Sequence, residues 1–362
     1  MIPLVKPFLP PKEELMPVLE EVLYSGYIAE GSKVYEFEEK FGNYIGNPHV
    51  ISLNSGTAAL HIALIMAGVG LGAEVISTVL TAEPTNVAIK LVGAKVVWAD
   101  IDYETGIIDS KSIEENITPK TKAIMVVHYA GIVADLEKIR EIADKYKIKV
   151  IEDAAHALGA KYKNKPLGSF SDFTIFSLQA IKHITTVDGG FLCLKTKEAA
   201  NEARLLRWFG LDKTKPRLEN DIKVPGYKYH MNNVNASIGL VQMKHVQFVV
   251  EKYIENGKYF DNALKNIPGV ELLKYYTDTE PSYWLYTMKV ERRDDFISSL
   301  ASSGIMSSEL HLRNDRHSIF EESKVPLPMF DNFYTKMVHI PCGWWVSSED
   351  RDKIVDAIKK GW

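Results

Sequence analysis

The chain has 362 residues, 46% of them hydrophobic and 25% charged, with a formal net charge of −4. This is ordinary globular composition, long enough for two domains, and it excludes both a disordered chain and an overall basic footprint for nucleic acid. Cys193 and Cys342, the only cysteines, lack metal-like spacing and form no disulfide framework, so no metal site is expected and a reducing cytoplasm fits best. The opening MIPLVKPFLPPKEEL is broken by prolines and does not read as a signal peptide. The longest apolar runs are too short to span a membrane.

In chain order, HVISLNS reads as a strand and GTAALHIALIMAGVG as the helix after it. EVISTVLT is a strand, EPTNVAIKLVG a helix, and KVVWADID and KAIMVVHYAG are strands. The helix DLEKIREIADKYKI follows, then the strands KVIEDAA, DFTIFSL and GGFLCLKT and the helix EAANEARLLRWFG. Strands that are apolar throughout, alternating with helices, predict a mostly parallel sheet covered on both faces. Residues 211–226 are polar and contain proline, which predicts a loop. Residues 233–266 predict one long helix, stopped by Pro268 and Gly269. PSYWLYTMKV (strand), RRDDFISSLASSG (helix), VHIPCG (strand) and SEDRDKIVDAIKKG (helix) then predict a small α+β domain. The expected division is 1–240 for a large domain that includes the N-terminal segment and 241–362 for the small one.

Three stretches carry chemistry, and each falls at a strand end, where open α/β sheets bind ligands. NSGTAAL, residues 54–60, opens a helix with small residues. Read alone, it is either an anion site made of free amides or a plain cap by Ser55 or Thr57. In KVIEDAAHALGA, Asp153 ends an apolar strand and needs a cation or several donors. His156 lies three residues on. In FSLQAIKHITTVDGG, Lys182 has no acid within five positions on either side. Read alone, such a lysine either snorkels to the surface or, lined by apolar and hydroxyl groups, loses proton affinity and becomes a nucleophile toward carbonyls. A phosphate cradle, a buried carboxylate and such a lysine are together what pyridoxal 5'-phosphate (PLP) needs.

With these motifs in order, the chain resembles the DegT/DnrJ/EryC1/StrS family of sugar aminotransferases. SGYIAEGSKVYEFEEKFGNYIG, GYKYHMNNVNASIGL and IPCGWWVSSEDRDKIVDAI also have counterparts there. The resemblance implies an α/β fold-type I PLP-dependent transferase with a seven-stranded sheet domain and a small C-terminal α+β domain. It implies that Lys182 is the Schiff-base lysine, that Asp153 partners the pyridinium nitrogen and that His156 lies beside the ring hydroxyl. Gly56, Thr57 and Ser177 match phosphate-binding positions. Lys228 matches a residue reaching the phosphate of a neighbouring subunit, which implies a homodimer with shared sites. His128 matches a histidine near the site. SSELHLRNDRHSIF, residues 307–320, matches a region near the substrate, so His311, Arg313, Arg316 and His317 are candidate substrate contacts. An arginine pair there suits a phosphate or pyrophosphate.

The implied partners are L-glutamate, 2-oxoglutarate and a nucleotide-linked keto sugar. A small phosphorylated ketone is an alternative acceptor. One branch of the family removes a sugar hydroxyl instead and carries histidine where Lys182 stands. The kept lysine favours transamination. Two positions depart from the family pattern: Ala82 stands where many relatives place an aromatic over the cofactor, and His230 replaces a common arginine.

Overall fold

The computed structural model describes residues 1–362. Its strands are β1 (Val50–Leu53), β2 (Glu74–Ser77), β3 (Lys95–Trp98), β4 (Thr121–Val127), β5 (Lys149–Asp153), β6 (Lys161–Tyr162) and β7 (Lys165–Pro166). They continue with β8 (Phe173–Ser177), β9 (Gly190–Leu194), β10 (Val270–Leu272), β11 (Thr279–Glu280), β12 (Tyr286–Val290) and β13 (Met337–Ile340). Seven of them form one sheet in the order β1-β9-β8-β5-β4-β2-β3. Only β9 runs antiparallel to its neighbours. The sheet is therefore mostly parallel, and β4, β5, β8 and β9 are buried almost throughout, as their unbroken apolar runs require.

This topology places the three chemical stretches together. Gly190 opens β9 and pairs with Leu53 at the end of β1 on one side and Ser177 at the end of β8 on the other. Asp153 ends β5, paired with Ile175 of β8. The carboxyl ends of β1, β8 and β5 thus share one rim of the sheet. After α1 (Lys12–Tyr24) and α2 (Ser32–Ile45), helix α3 (Gly56–Met66) starts on that rim, as does α4 (Glu83–Leu91).

Strands β10, β12 and β13 form a separate antiparallel sheet, and β11 joins β6 and β7 in a small ribbon. A core of 80 buried apolar residues serves the large sheet, and a second core of 18 serves the small one. One sequence expectation changes here. The single helix predicted over 233–266 is two, Asn233–Gln242 and Val246–Ala263, because Lys244 and His245 bond back three residues to Val241 and Gln242. Such tightening ends one helix without any glycine or proline. The second of these helices carries Val246, Val249, Val250 and Tyr253 into the large core and Phe260 into the small one. We propose this helix, rather than residue 240, as the join between the units. Of the N-terminal segment, Leu4 and Phe8 pack into the large core and Ile2 reaches the small one. The Ile2 amide donates to the Gly304 carbonyl at 2.8 Å, and the Ile2 side chain lies in the small core.

Candidate active site

The rim of the sheet encloses a cavity of about 330 Å3, lined by Gly56, Thr57, Asp153, His156, Ser177 and Lys182 among others. The cradle is built by close backbone approach. A Cβ on Gly190 would come within 2.6 Å of the Gly56 nitrogen, and one on Gly56 within 3.1 Å of the Ser177 Cβ. Glycine at both positions lets the first turn of α3 press against β8 and β9. Ser55 does cap this helix, its hydroxyl accepting from the Ala58 amide at 3.0 Å. The cap leaves the Gly56 and Thr57 amides without a hydrogen bond inside the chain. Both readings of NSGTAAL therefore hold at once: a capped helix that still offers two amides and the positive end of its dipole to an anion.

Asp153 is 4% exposed. Its Oδ1 accepts from the Ala155 amide at 3.0 Å and its Oδ2 from the Thr85 hydroxyl at 2.7 Å. Thr81 and Thr85 lie 2.8 Å apart. A hydroxyl has one proton to give, so Thr85 donates to Asp153 and Thr81 donates to Thr85. Hydrogen bonds to a charged group contribute about 1.5–3 kcal/mol, enough to hold this carboxylate in one orientation. The motif TAEPTN contains the signal, two threonines four apart at a helix start, but sequence reasoning named neither.

Lys182 is 9% exposed, and its Nζ lies 4.1 Å from the centroid of the Trp284 ring. Burial pulls its pKa down to about 7, against the opposing pull of Asp153. The neighbouring His183 points elsewhere: its ring packs 4.6 Å from that of Tyr253 and its Nε2 faces the Ser282 carbonyl at 3.3 Å. His156 stacks on Trp284 at 3.9 Å and accepts the Ala130 amide on Nδ1. Burial holds it well below its ordinary pKa, so the neutral ring keeps its proton on Nε2.

Of the four substrate candidates, only His311 lines the cavity. Arg313 is paired elsewhere, with Asp315 through two hydrogen bonds of 2.6 Å and with Asp331 at 2.8 Å. Arg313 and Arg316 line a shallow surface hollow instead, and His317 lies 3.9 Å from Glu83. Of the arginine pair, Arg313 is thus held by two acids, Asp315 and Asp331, whereas Arg316 is exposed and makes no ion pair. The segment is pinned by Asn314, which sequence reasoning passed over. Its amide donates to the Thr81 carbonyl and accepts from Asn86, tying the 307–320 stretch to the loop that supports Asp153.

Lys228 is exposed and does not line the cavity of its own chain. His128 is fully buried away from the cavity, 2.8 Å from Glu152, and accepts the Ala134 amide. It braces the far side of β5. Ala82 does line the cavity, as the small residue preceding α4. His230 packs edge-on against Trp208 at 4.1 Å.

Burial also holds His183 at about 4 and His339 at about 3. The sign follows directly. Above the unfolded value of about 6.5 these rings carry no penalty, and below it the unfolded chain binds protons that the folded chain refuses. Stability should fall as pH drops from 6.5 toward 4, on the order of 3 kcal/mol per histidine. Urea melts at pH 7 and pH 4.5 test this, and a His183→Asn variant should lose part of the slope. An unchanged slope would contradict the account.

Residues 11–359 match the model of the DegT/DnrJ/EryC1/StrS aminotransferase family. The sugar aminotransferase CalS13 from Micromonospora echinospora is similar in structure, with a TM-score of 0.97 and 37% identity over 100% of both chains. A sugar aminotransferase of Streptococcus pneumoniae in its PLP form has a TM-score of 0.91 and 30% identity, covering 99% of this chain and 98% of that one. The spore coat polysaccharide biosynthesis protein SpsC of Bacillus subtilis is 31% identical over 96% of this chain and 94% of its own length. A capped helix with two free amides, a braced carboxylate and a lysine held near neutrality fit the phosphate, ring nitrogen and aldehyde of pyridoxal phosphate. The chain belongs to the DegT/DnrJ/EryC1/StrS aminotransferase family and is a PLP-dependent aminotransferase acting in sugar transamination.

Proposed function

We propose that this enzyme moves an amino group from L-glutamate to a nucleotide-linked keto sugar, a 4-keto-6-deoxy or 3-keto sugar, for cell-surface glycan synthesis. The observation that carries the chemistry is a single lysine, Lys182, whose amine burial holds near neutrality in the same cavity as Asp153. Pyridoxal phosphate supplies the aldehyde that receives the amino group and the ring that takes up electron density. Gly56, Thr57 and Ser177 hold its phosphate, and His156 lies beside the ring. Asp153 keeps a proton on the ring nitrogen by its fixed negative charge. Lys182, when free, is the group placed to take the proton from the donor's reacting carbon and, on the acceptor half of the cycle, to deliver one to the acceptor's reacting carbon.

The sugar acceptor is supported by the kinship with CalS13 and with SpsC, whose names refer to sugar amination and polysaccharide synthesis. The competing acceptor, a small phosphorylated ketone, relies on the Arg313–Arg316 pair, and Arg313 already has two carboxylates. A dehydratase reading relies on a histidine at the reactive position, and His183 faces Ser282. Exposed Lys228 would complete the phosphate site of a second copy in a homodimer.

Free UDP and GDP should compete with the keto-sugar half-reaction. Titration calorimetry and inhibition of the pyridoxamine-form enzyme read this directly. Neither binding nor inhibition by either nucleotide would remove the nucleotide-sugar reading.

A further inference from the structure

Trp284 is 1% exposed and comes from the C-terminal unit, yet it touches the reactive lysine. Its indole N–H donates to the Ile181 carbonyl at 2.9 Å, clamping the loop that carries Lys182. One indole face stacks on His156, and the Lys182 amine lies 4.1 Å from the ring centroid. A ring face attracts an ammonium through its quadrupole, so it favours the protonated lysine where burial opposes it.

The residue before it is held in an unusual backbone. Tyr283 has φ +49°, the left-handed region, which is strained for a non-glycine residue. The surroundings enforce this. A Cβ on Gly257 would lie 2.2 Å from the Tyr283 ring, and a Cβ on Gly131 would lie 2.8 Å from the Tyr283 nitrogen. Four residues beyond Gly257, Asp261 accepts hydrogen bonds from three tyrosine hydroxyls: Tyr283 at 2.6 Å, Tyr286 at 3.0 Å and Tyr275 at 3.1 Å. The Tyr283 ring thus lies over one turn of the helix and is tied down by the next. Strain at one residue persists only where its neighbours over-determine it, and it recurs beside functional groups.

We propose that Trp284 is a positioning residue for Lys182: its face seats the free lysine amine, and Asp261 fixes that face through Tyr283. This rests on the reading of Lys182 as the reactive lysine. The titratable groups that act on the amine are Asp153 from β5, His156 from the following turn and His311 from the C-terminal segment, with His183 nearby but turned toward Tyr253. Burial keeps the three histidines neutral near pH 7, so Asp153 and the indole face are the two influences that hold the proton on the amine.

The test uses the holoenzyme converted by glutamate to its pyridoxamine form, in which the lysine amine is free. The pH dependence of amine labelling at Lys182, followed by mass spectrometry, gives its titration. Trp284→Leu should lower that titration by about one pH unit. It should also cut kcat about ten- to a hundredfold with little change in KM for glutamate. Trp284→Phe, which keeps a ring but loses the N–H to Ile181, should hold the titration and still lose kcat. Asp261→Asn should shift the titration the same way by less. An unmoved titration in Trp284→Leu that still binds cofactor covalently would overturn the proposal. Should Trp284→Leu fail to fold, unchanged titration and kcat in Asp261→Asn together with unchanged kcat in Trp284→Phe would do so. Failure of the underlying reading is distinguishable, since Lys182→Ala would then retain covalent cofactor.

Discussion

Lys182→Ala should abolish covalent attachment of the cofactor and lower turnover by at least about 10⁴-fold, since nucleophile and proton carrier are lost together. The fold should survive, because the Lys182 side chain makes no hydrogen bond or ion pair in the chain and its removal relieves a buried amine. Visible absorbance of the loaded enzyme reports the attachment, and turnover at the wild-type level would end the assignment. The same variant tests the shared site. Lys228→Ala should weaken phosphate binding in a partner's cavity. Mixed with Lys182→Ala, it should recover about a quarter of wild-type activity, because half of random dimers are hybrids with one complete site of two. No recovery, with both variants stably dimeric, would show that Lys228 serves no second subunit.

Asp153→Asn should leave the protein folded and the cofactor bound but lower turnover by about 10²–10³-fold, as removal of a preorganised charge commonly does. The isosteric amide keeps the contact with Thr85 only by turning its oxygen toward that hydroxyl, and it then offers the amide nitrogen to the Ala155 amide, a donor facing a donor. Thr85→Val separates the two contributions. It removes the hydroxyl that orients Asp153 while leaving the charge, so its loss should be much smaller than that of Asp153→Asn. Equal losses in the two variants would show that orientation, not charge, is what Asp153 contributes. Pre-steady-state rates with glutamate make the comparison without the sugar acceptor.

Much of this protein was legible from local pattern. Apolar runs of four to seven residues specified the strands of the large sheet, and their alternation with amphipathic helices predicted parallel pairing. Lys182 stood out because its neighbours in sequence carry no charge, and the neighbours in sequence of a rim loop are largely its neighbours in space. Asp153 stood out because it ends a strand whose centre, Val150 and Ile151, is apolar. The glycine pair at 189–190 closes the stretch that holds Lys182, and Gly190 leaves the room that Gly56 needs.

What the tertiary structure decided involves partners far apart in the chain. Thr85 and Asp153 are 68 residues apart, and Trp284 and Ile181 are 103. No periodicity encodes such pairs, because they meet only when separate strands and the C-terminal unit converge on one rim. Arg313 looked available in sequence because its acids, Asp315 and Asp331, could have pointed anywhere; folding turned both toward it. The helix predicted over 233–266 broke before Val246 although every residue there tolerates a helix; Lys244 and His245 bond back three residues, and the helices on both sides pack into the large core. Composition and local pattern thus determined the sheet and pointed to the cofactor and to Lys182, each of which depends on residues near in sequence. Only the packed structure decided which polar groups are already satisfied and which remain free for chemistry, because satisfaction is a property of contacts and not of residue type.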